Sequence, residues 1–231
     1  MTTIVRSDRN PQPPPWKRRL FLPAYSIKES ARYASTTPQT VAHWHYYGGK
    51  VGPAIKGKER GKPLSYLQLI EVAFVATMRQ FMSLQKIRRA REYARQTFEV
   101  EYPFAELRWK TEGTHLLLDL RDFEEDVELD SLIVADRAGQ EAWTPAMAER
   151  FAQFKYEEGL ALIWYVRGRQ NPIIIDPRVS FGAPTVQGLP TWIIRGRWEA
   201  GESTDEIRDD FHLDTNYIIH ALRFEEIELA A

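Results

Sequence analysis

Four helix-start signals cut the first part of this chain into short pieces, and they constrain the fold more than any other feature. Ser26 with Glu29, and Ser65 with Gln68, have capping-box spacing. In that arrangement each side chain accepts a backbone N–H that the first helical turn leaves unpaired. Thr37 before Pro38 sets a capping hydroxyl ahead of a proline at the first helical position. Ser83 is a fourth cap. The expected helices run from Ser26 to about Tyr33, Thr37 to about Tyr46, Ser65 to Phe81, and Leu84 to about Thr97. Leu67, Leu69, Ile70, Ala73, Phe74 and Ala76 recur at helical spacing in the third, and Leu84, Ile87, Ala90, Arg91 and Ala94 in the fourth.

Charge divides the chain at the end of those helices. The net charge of −1 over 231 residues conceals 18 Lys+Arg against 5 Asp+Glu in residues 1–98, and 13 against 27 in residues 99–231. A balance of +13 beside one of −14 points to two modules with different clients, the first of them a polyanion. The length suffices for two small cores, and 43% hydrophobic with 12% aromatic residues is a globular composition. The most apolar stretch, Leu67 to Phe81, is interrupted by Gln68, Glu71 and Arg79, so no membrane span is expected. No secretory signal pattern stands at the N-terminus. The chain has no cysteine, which removes disulfides and thiolate chemistry and suits a cytoplasmic location.

Around the helices, Pro11, Pro13, Pro14 and Pro15 predict a flexible, mildly basic arm over residues 1–22, without helix. Residues 48–63, rich in Gly and Lys, read as a solvated loop with no part in the core. Beyond residue 98 the texture changes. Strands are expected over 114–120, 129–134 and 173–175. A short helix from Thr144 is expected to contain Met147, Phe151 and Phe154. Glu158-Gly159 reads as the turn of a hairpin joining Phe154–Glu157 to Leu160–Val166. Three helices close the chain, over Thr191–Ala200, Ser203–Phe211 and Asp214 to about Glu228. The fold class is therefore mainly α with a small β component (α+β). Its segments are 1–22 (arm), 23–98 (DNA-binding domain), 99–170 (linker and small β-rich part) and 171–231 (helical domain).

The first two helices, joined by a short turn, form a helix-turn-helix pattern with Ile27, Ala31, Val41 and Trp44 between them. In such a unit the start of the second helix meets base edges in the major groove. Here that start offers Thr36, Thr37, Gln39, Thr40 and His43. Gln can pair bidentately with adenine, and Thr offers a hydroxyl or a methyl. Lys50, Lys56, Lys58, Arg60 and Lys62 follow with only Glu59 opposing, in the position of a wing that neutralises phosphate. Arg88, Arg89, Arg91 and Arg95 add to the basic surface.

These residues carry a family resemblance. The run Tyr25 to Trp44, the wing-like loop, Pro63 to Glu71, and Met82 to Ala90 resemble a MerR-type winged helix-turn-helix domain. More specifically they resemble the variant at the front of the larger VapB-like antitoxins. Ala42 and His43 stand where that family is usually richer in Arg. Asn171 to Arg178, Phe181 to Pro184, Gly201 to Ser203 and Ala221 to Glu225 resemble the antitoxin-associated domain that follows, in the same order. The resemblance covers roughly residues 23–97 and 150–228. It implies a short sheet leading into three helices with homeodomain-like packing, neutralisation of a PIN-like ribonuclease toxin, and repression of a shared operon. Physically, an acidic module suits the basic surface on which a ribonuclease holds its substrate.

Catalytic and cofactor chemistry is not legible. The five histidines are scattered, and His43 and His45 do not share a helix face, so no metal pair is expected. The acids between Asp122 and Glu128 read as a solvated loop. There is no phosphate-binding loop, dinucleotide fingerprint or nucleophile elbow. Trp143, Trp164, Trp192 and Trp198 read as packing residues. The expected protein is a cytoplasmic, non-enzymatic repressor without a cofactor, a homodimer binding double-stranded operator DNA and a ribonuclease. The alternative is a solitary MerR-like regulator that senses a small molecule through its C-terminal half.

Overall fold

The computed structural model describes residues 14–47, 52–80, 83–106 and 152–229. The first three helix-start signals act as expected. Helix α2 (Ile27–Tyr33) begins where Ser26 Oγ accepts the Glu29 N–H at 3.1 Å and Glu29 accepts the Ser26 N–H at 2.9 Å. Its end is a Schellman closure. Thr36 N–H bonds the Ala31 carbonyl and Ser35 N–H the Arg32 carbonyl, with Ser35 left-handed at φ 52. Helix α3 (Pro38–Tyr46) follows at once, capped by Thr37. Helix α4 (Tyr66–Met78) carries the Ser65/Gln68 box, and α5 spans Leu84–Phe98.

Helix α4 is buried on nearly every side, which an all-round apolar helix requires. Around it lie α2, a short α6 (Pro103–Glu106), and a five-stranded antiparallel sheet in sequence order. The strands are β1 (Phe154–Glu157), β2 (Leu160–Tyr165), β3 (Ile174–Ile175), β4 (Pro184–Val186) and β5 (Leu189–Pro190). Glu158 and Gly159, at φ 52 and 81, turn the first hairpin with the two positive φ values that match strand twist. Phe154 opens β1 and so does not belong to the helix expected from Thr144. Residues 144–151, and the strands expected over 114–120 and 129–134, lie outside the described residues.

Three helices complete the α+β fold: α7 (Thr191–Glu199), α8 (Thr204–Phe211) and α9 (Thr215–Phe224). Helix α8 starts with a third capping box, Ser203 with Glu206.

The basic and acidic parts share one core. Phe74 of α4 stacks on Phe104 of α6 at 4.7 Å and meets Phe154 of β1 at 5.9 Å. Phe154 in turn stacks on Trp164 of β2. Tyr66 Oη donates to the Leu162 carbonyl at 2.8 Å. Tyr33 stacks on Phe224, and Arg32 bonds the Phe224 carbonyl and Glu225, both at 3.1 Å. Tyr25 Oη donates to the Gly182 carbonyl at 2.8 Å. A Cβ on Gly182 would stand 2.2 Å from that oxygen, at a φ of +80, so only glycine fits there.

Two expectations need correction. Residues 15–19 form helix α1 (Pro15–Arg19) rather than part of an unstructured arm, because Pro15 occupies a first-turn position where no N–H is needed. Leu20 then reaches the core, at 2% exposure. The loop before α4 is not wholly solvated either. Ala54 and Ile55 are completely buried, and both N–H groups bond the Trp44 carbonyl at the end of α3. Two adjacent apolar residues anchor a loop whose flanking residues remain charged.

Candidate nucleic-acid interface

Helix α3 has one buried and one free face. Val41, Trp44 and His45 turn inward, with Ala31 of α2 against them, while Gln39 and His43 are exposed. Thr36 and Thr40 stand half-buried beside these two. Thr37 is exposed but engaged: its Oγ1 accepts the Thr40 N–H at 3.1 Å and lies 2.9 Å from Thr40 Oγ1. The hydroxyls expected to read DNA are thus partly spent on capping. His43 stacks on Tyr47 at 5.1 Å, which extends the free face by an exposed aromatic ring.

The basic residues separate into three kinds. Lys58 Nζ donates to Tyr46 Oη at 3.3 Å, and the Arg60 guanidinium lies over the Tyr46 ring at 5.7 Å. Both cations are therefore carried at the C-terminal end of α3, and Arg88 bonds the Tyr47 carbonyl from α5. Lys56 is turned away. Its ammonium pairs with Glu101 and sits 4.7 Å over the Tyr102 ring. Lys62 pairs with Glu59 at 2.6 Å on the open surface, a contact of little energetic weight. Lys50 lies outside the described residues.

Arg91, counted with the basic surface in the sequence, is buried at 4% exposure. It lies 3.7 Å from Glu71, which is wholly buried, and donates to the Glu101 carbonyl at 3.1 Å. Glu71 also accepts the Lys56 N–H at 3.0 Å, so this ion pair fastens the loop to α4 and α5. Burial pushes the Glu71 carboxyl up to about 7, against the pull of Arg91 and of backbone N–H groups. His45 lies beside the pair and bonds the Lys56 carbonyl through Nδ1 at 2.7 Å. Since a carbonyl only accepts, the proton sits on Nδ1. Burial lowers the His45 pKa to about 4, so the ring is neutral at pH 7. Sequence reasoning missed this cluster. The available signal was Arg91 in register with the apolar residues of its helix.

The acids of the C-terminal helices are interleaved with arginine. Arg197 bridges Glu202 and Asp210, and Arg208 meets Asp205 and Asp209. Asp214 caps α9 through the Asn216 N–H at 2.8 Å. Of the 27 acids after residue 98, 11 fall in residues 107–151, outside the described residues. Among the tryptophans, Trp164 is buried, Trp192 is 60% exposed and Trp198 packs partly against the core. Trp143 lies outside the described residues. Among the described residues no helix is long and apolar enough to cross a membrane.

Comparison with known proteins bears on this architecture. Residues 173–224, which hold β3 to β5 and α7 to α9, match the family model described as protein of unknown function DUF433. The structure is similar to the crystal structure of Rv2018 from Mycobacterium tuberculosis, with a TM-score of 0.67 at 20% identity. That likeness spans 88% of this chain and 99% of the other, and it concerns the fold. No curated protein matches the chain.

Proposed function

We propose that this chain is a cytoplasmic DNA-binding repressor of antitoxin type, a homodimer that occupies operator DNA and neutralises a PIN-like ribonuclease. The observation that carries the reading is the free face of α3. Gln39 and His43 are exposed on a helix whose opposite face is locked into the core, with Lys58 and Arg60 held at its C-terminal end. Rigid support behind a polar helix face, with cations beside it, is what major-groove reading requires. The buried Glu71–Arg91 pair adds to this by fixing the loop that carries those cations.

Neutralisation of a ribonuclease rests on charge, the balance of −14 after residue 98. Phe181 and Trp192, exposed at 77% and 60%, supply aromatic surface of the kind dimer contacts use. Because the two parts share a core, both activities belong to the intact chain and not to residues 99–231 alone.

The test is titration of the intact chain against the duplex upstream of its own reading frame and against an unrelated duplex. A bidentate base contact is worth about 1–3 kcal/mol, so Gln39→Ala is expected to weaken the first complex about tenfold. The unrelated duplex should be bound as before. Equal loss on both duplexes would remove Gln39 from base reading. A ribonuclease encoded beside the gene should lose activity on addition of the intact chain, and an unaffected nuclease would remove the neutralising role.

A further inference from the structure

A cleft of about 370 Å³ opens between the α2–α3 turn, the C-terminal half of α4 and the first hairpin. Its volume lies in the range of small-molecule sites. Ala73, Ala76 and Thr77 form the α4 wall with Gln80 just past its end, and the two alanines leave the space. Opposite them stand Gln153, Trp164 and Arg167.

The polar groups of the cleft are ordered. Thr77 Oγ1 donates to the Ala73 carbonyl at 3.0 Å and accepts Gln153 Nε2–H at 2.7 Å. Gln153 Oε1 accepts the Trp164 indole N–H at 3.1 Å. This chain fixes the Gln153 amide, and among the described residues its second N–H meets no acceptor. At the mouth, the Arg167 guanidinium donates to the Ser35 hydroxyl, on the residue whose left-handed backbone ends α2.

The charge of the cleft is one-sided. Among the described residues the lining holds no acid, and its only charged side chain is Arg167. It forms no ion pair among the described residues. Desolvation, and then the neighbouring Arg32 guanidinium, weigh against its charged form, with Glu226 opposing them. An arginine stays protonated at neutral pH even so, which leaves a cation with no acid beside it in the described lining.

We propose that this cleft binds a small organic anion, its carboxylate or phosphate group on Arg167 and its polar body against Gln153 and Gln80. The guanidinium fork suits either oxyanion, exchanging one neutral hydroxyl acceptor for two charged ones. The occupant would touch the turn immediately before α3 and the hairpin of the C-terminal part together. The site does not depend on whether α3 meets DNA, and its test involves none.

The test follows the indole N–H resonance of Trp164 in the intact, isotope-labelled protein, assigned by its loss in Trp164→Phe. The Gln153 side-chain amide serves as a second reporter should that variant fail to fold. Inorganic phosphate and glutarate are titrated separately. A saturable shift with a dissociation constant of about 1 mM or tighter is expected from at least one of them. Phosphate alone would mark a phosphate ester, glutarate alone a carboxylate. Arg167→Gln, at an exposed position, should raise that constant at least tenfold. Arg169→Gln, whose cation lies over Tyr165 outside the lining, should leave it unchanged. Shifts that stay linear with both anions, or that survive Arg167→Gln, would overturn the proposal.

Discussion

Replacing Phe74 with alanine is expected to cost about 3–5 kcal/mol, the range for emptying a buried phenylalanine site. Phe74 has 0% exposure and touches Phe104 and Phe154, so the void would open where the helical and sheet parts meet. A loss of that size is a large share of the total stability of an ordinary domain. Denaturant unfolding followed both by far-ultraviolet dichroism and by tryptophan fluorescence reads the outcome. The midpoint should fall with an unchanged slope, and the two signals should move together, because one core joins the parts. Separate transitions, only one of them shifted, would show that the two parts unfold as independent units.

The second large effect is pH-dependent. Arg91→Met should destabilise the protein by about 3 kcal/mol well above pH 7 and far less at about pH 5.5. The sign follows from Glu71. Its carboxyl ionises near 4.5 in the unfolded chain and at about 7 in the folded one. Between those values the folded state holds a proton that the unfolded state lacks, so Glu71 lowers stability as the pH rises through that window. Arg91 helps the ionised form, and its removal pushes the folded value higher. The added cost therefore appears above 7, where the wild-type carboxylate is charged and paired. His45, lowered to about 4, gives the opposite slope between about 4 and 6.5. It does so in both proteins, so it largely cancels in the difference. A penalty equal at both pH values would mean that Arg91 acts through the packing of its stem alone.

Local signals in the sequence carried the helical part well. Ser26 with Glu29, Thr37 with the Thr40 N–H and Ser65 with Gln68 each satisfy N–H groups within one turn, so they are legible without any distant contact. The Glu158-Gly159 turn was legible for the same reason. What escaped notice depended on tertiary contacts. Ala54 and Ile55 look like two apolar residues lost in a charged loop until the Trp44 carbonyl collects both their N–H groups. Strands β4 and β5 are not read from the sequence: β4 opens on Pro184, β5 closes on Pro190 and Gly188 sits in the turn between them, yet they pair at the sheet edge. Arg91 and Lys56 counted as surface charge because a sequence does not reveal which cation turns inward. The charge division near residue 98 is genuine in composition, but Phe74, Phe104 and Phe154 cross it.

The central claim, that the free face of α3 with its neighbouring cations meets DNA, is tested most directly by the salt dependence of duplex binding. Each phosphate contact contributes about 0.9 to the slope of log affinity against log salt. The Lys58→Ala/Arg60→Ala double variant should bind every duplex more weakly, with a slope shallower by about 2. Lys56→Ala, whose ammonium is held by Glu101 and Tyr102, should keep the wild-type slope. A wild-type protein without salt-dependent binding, or a double variant with an unchanged slope, would contradict the account.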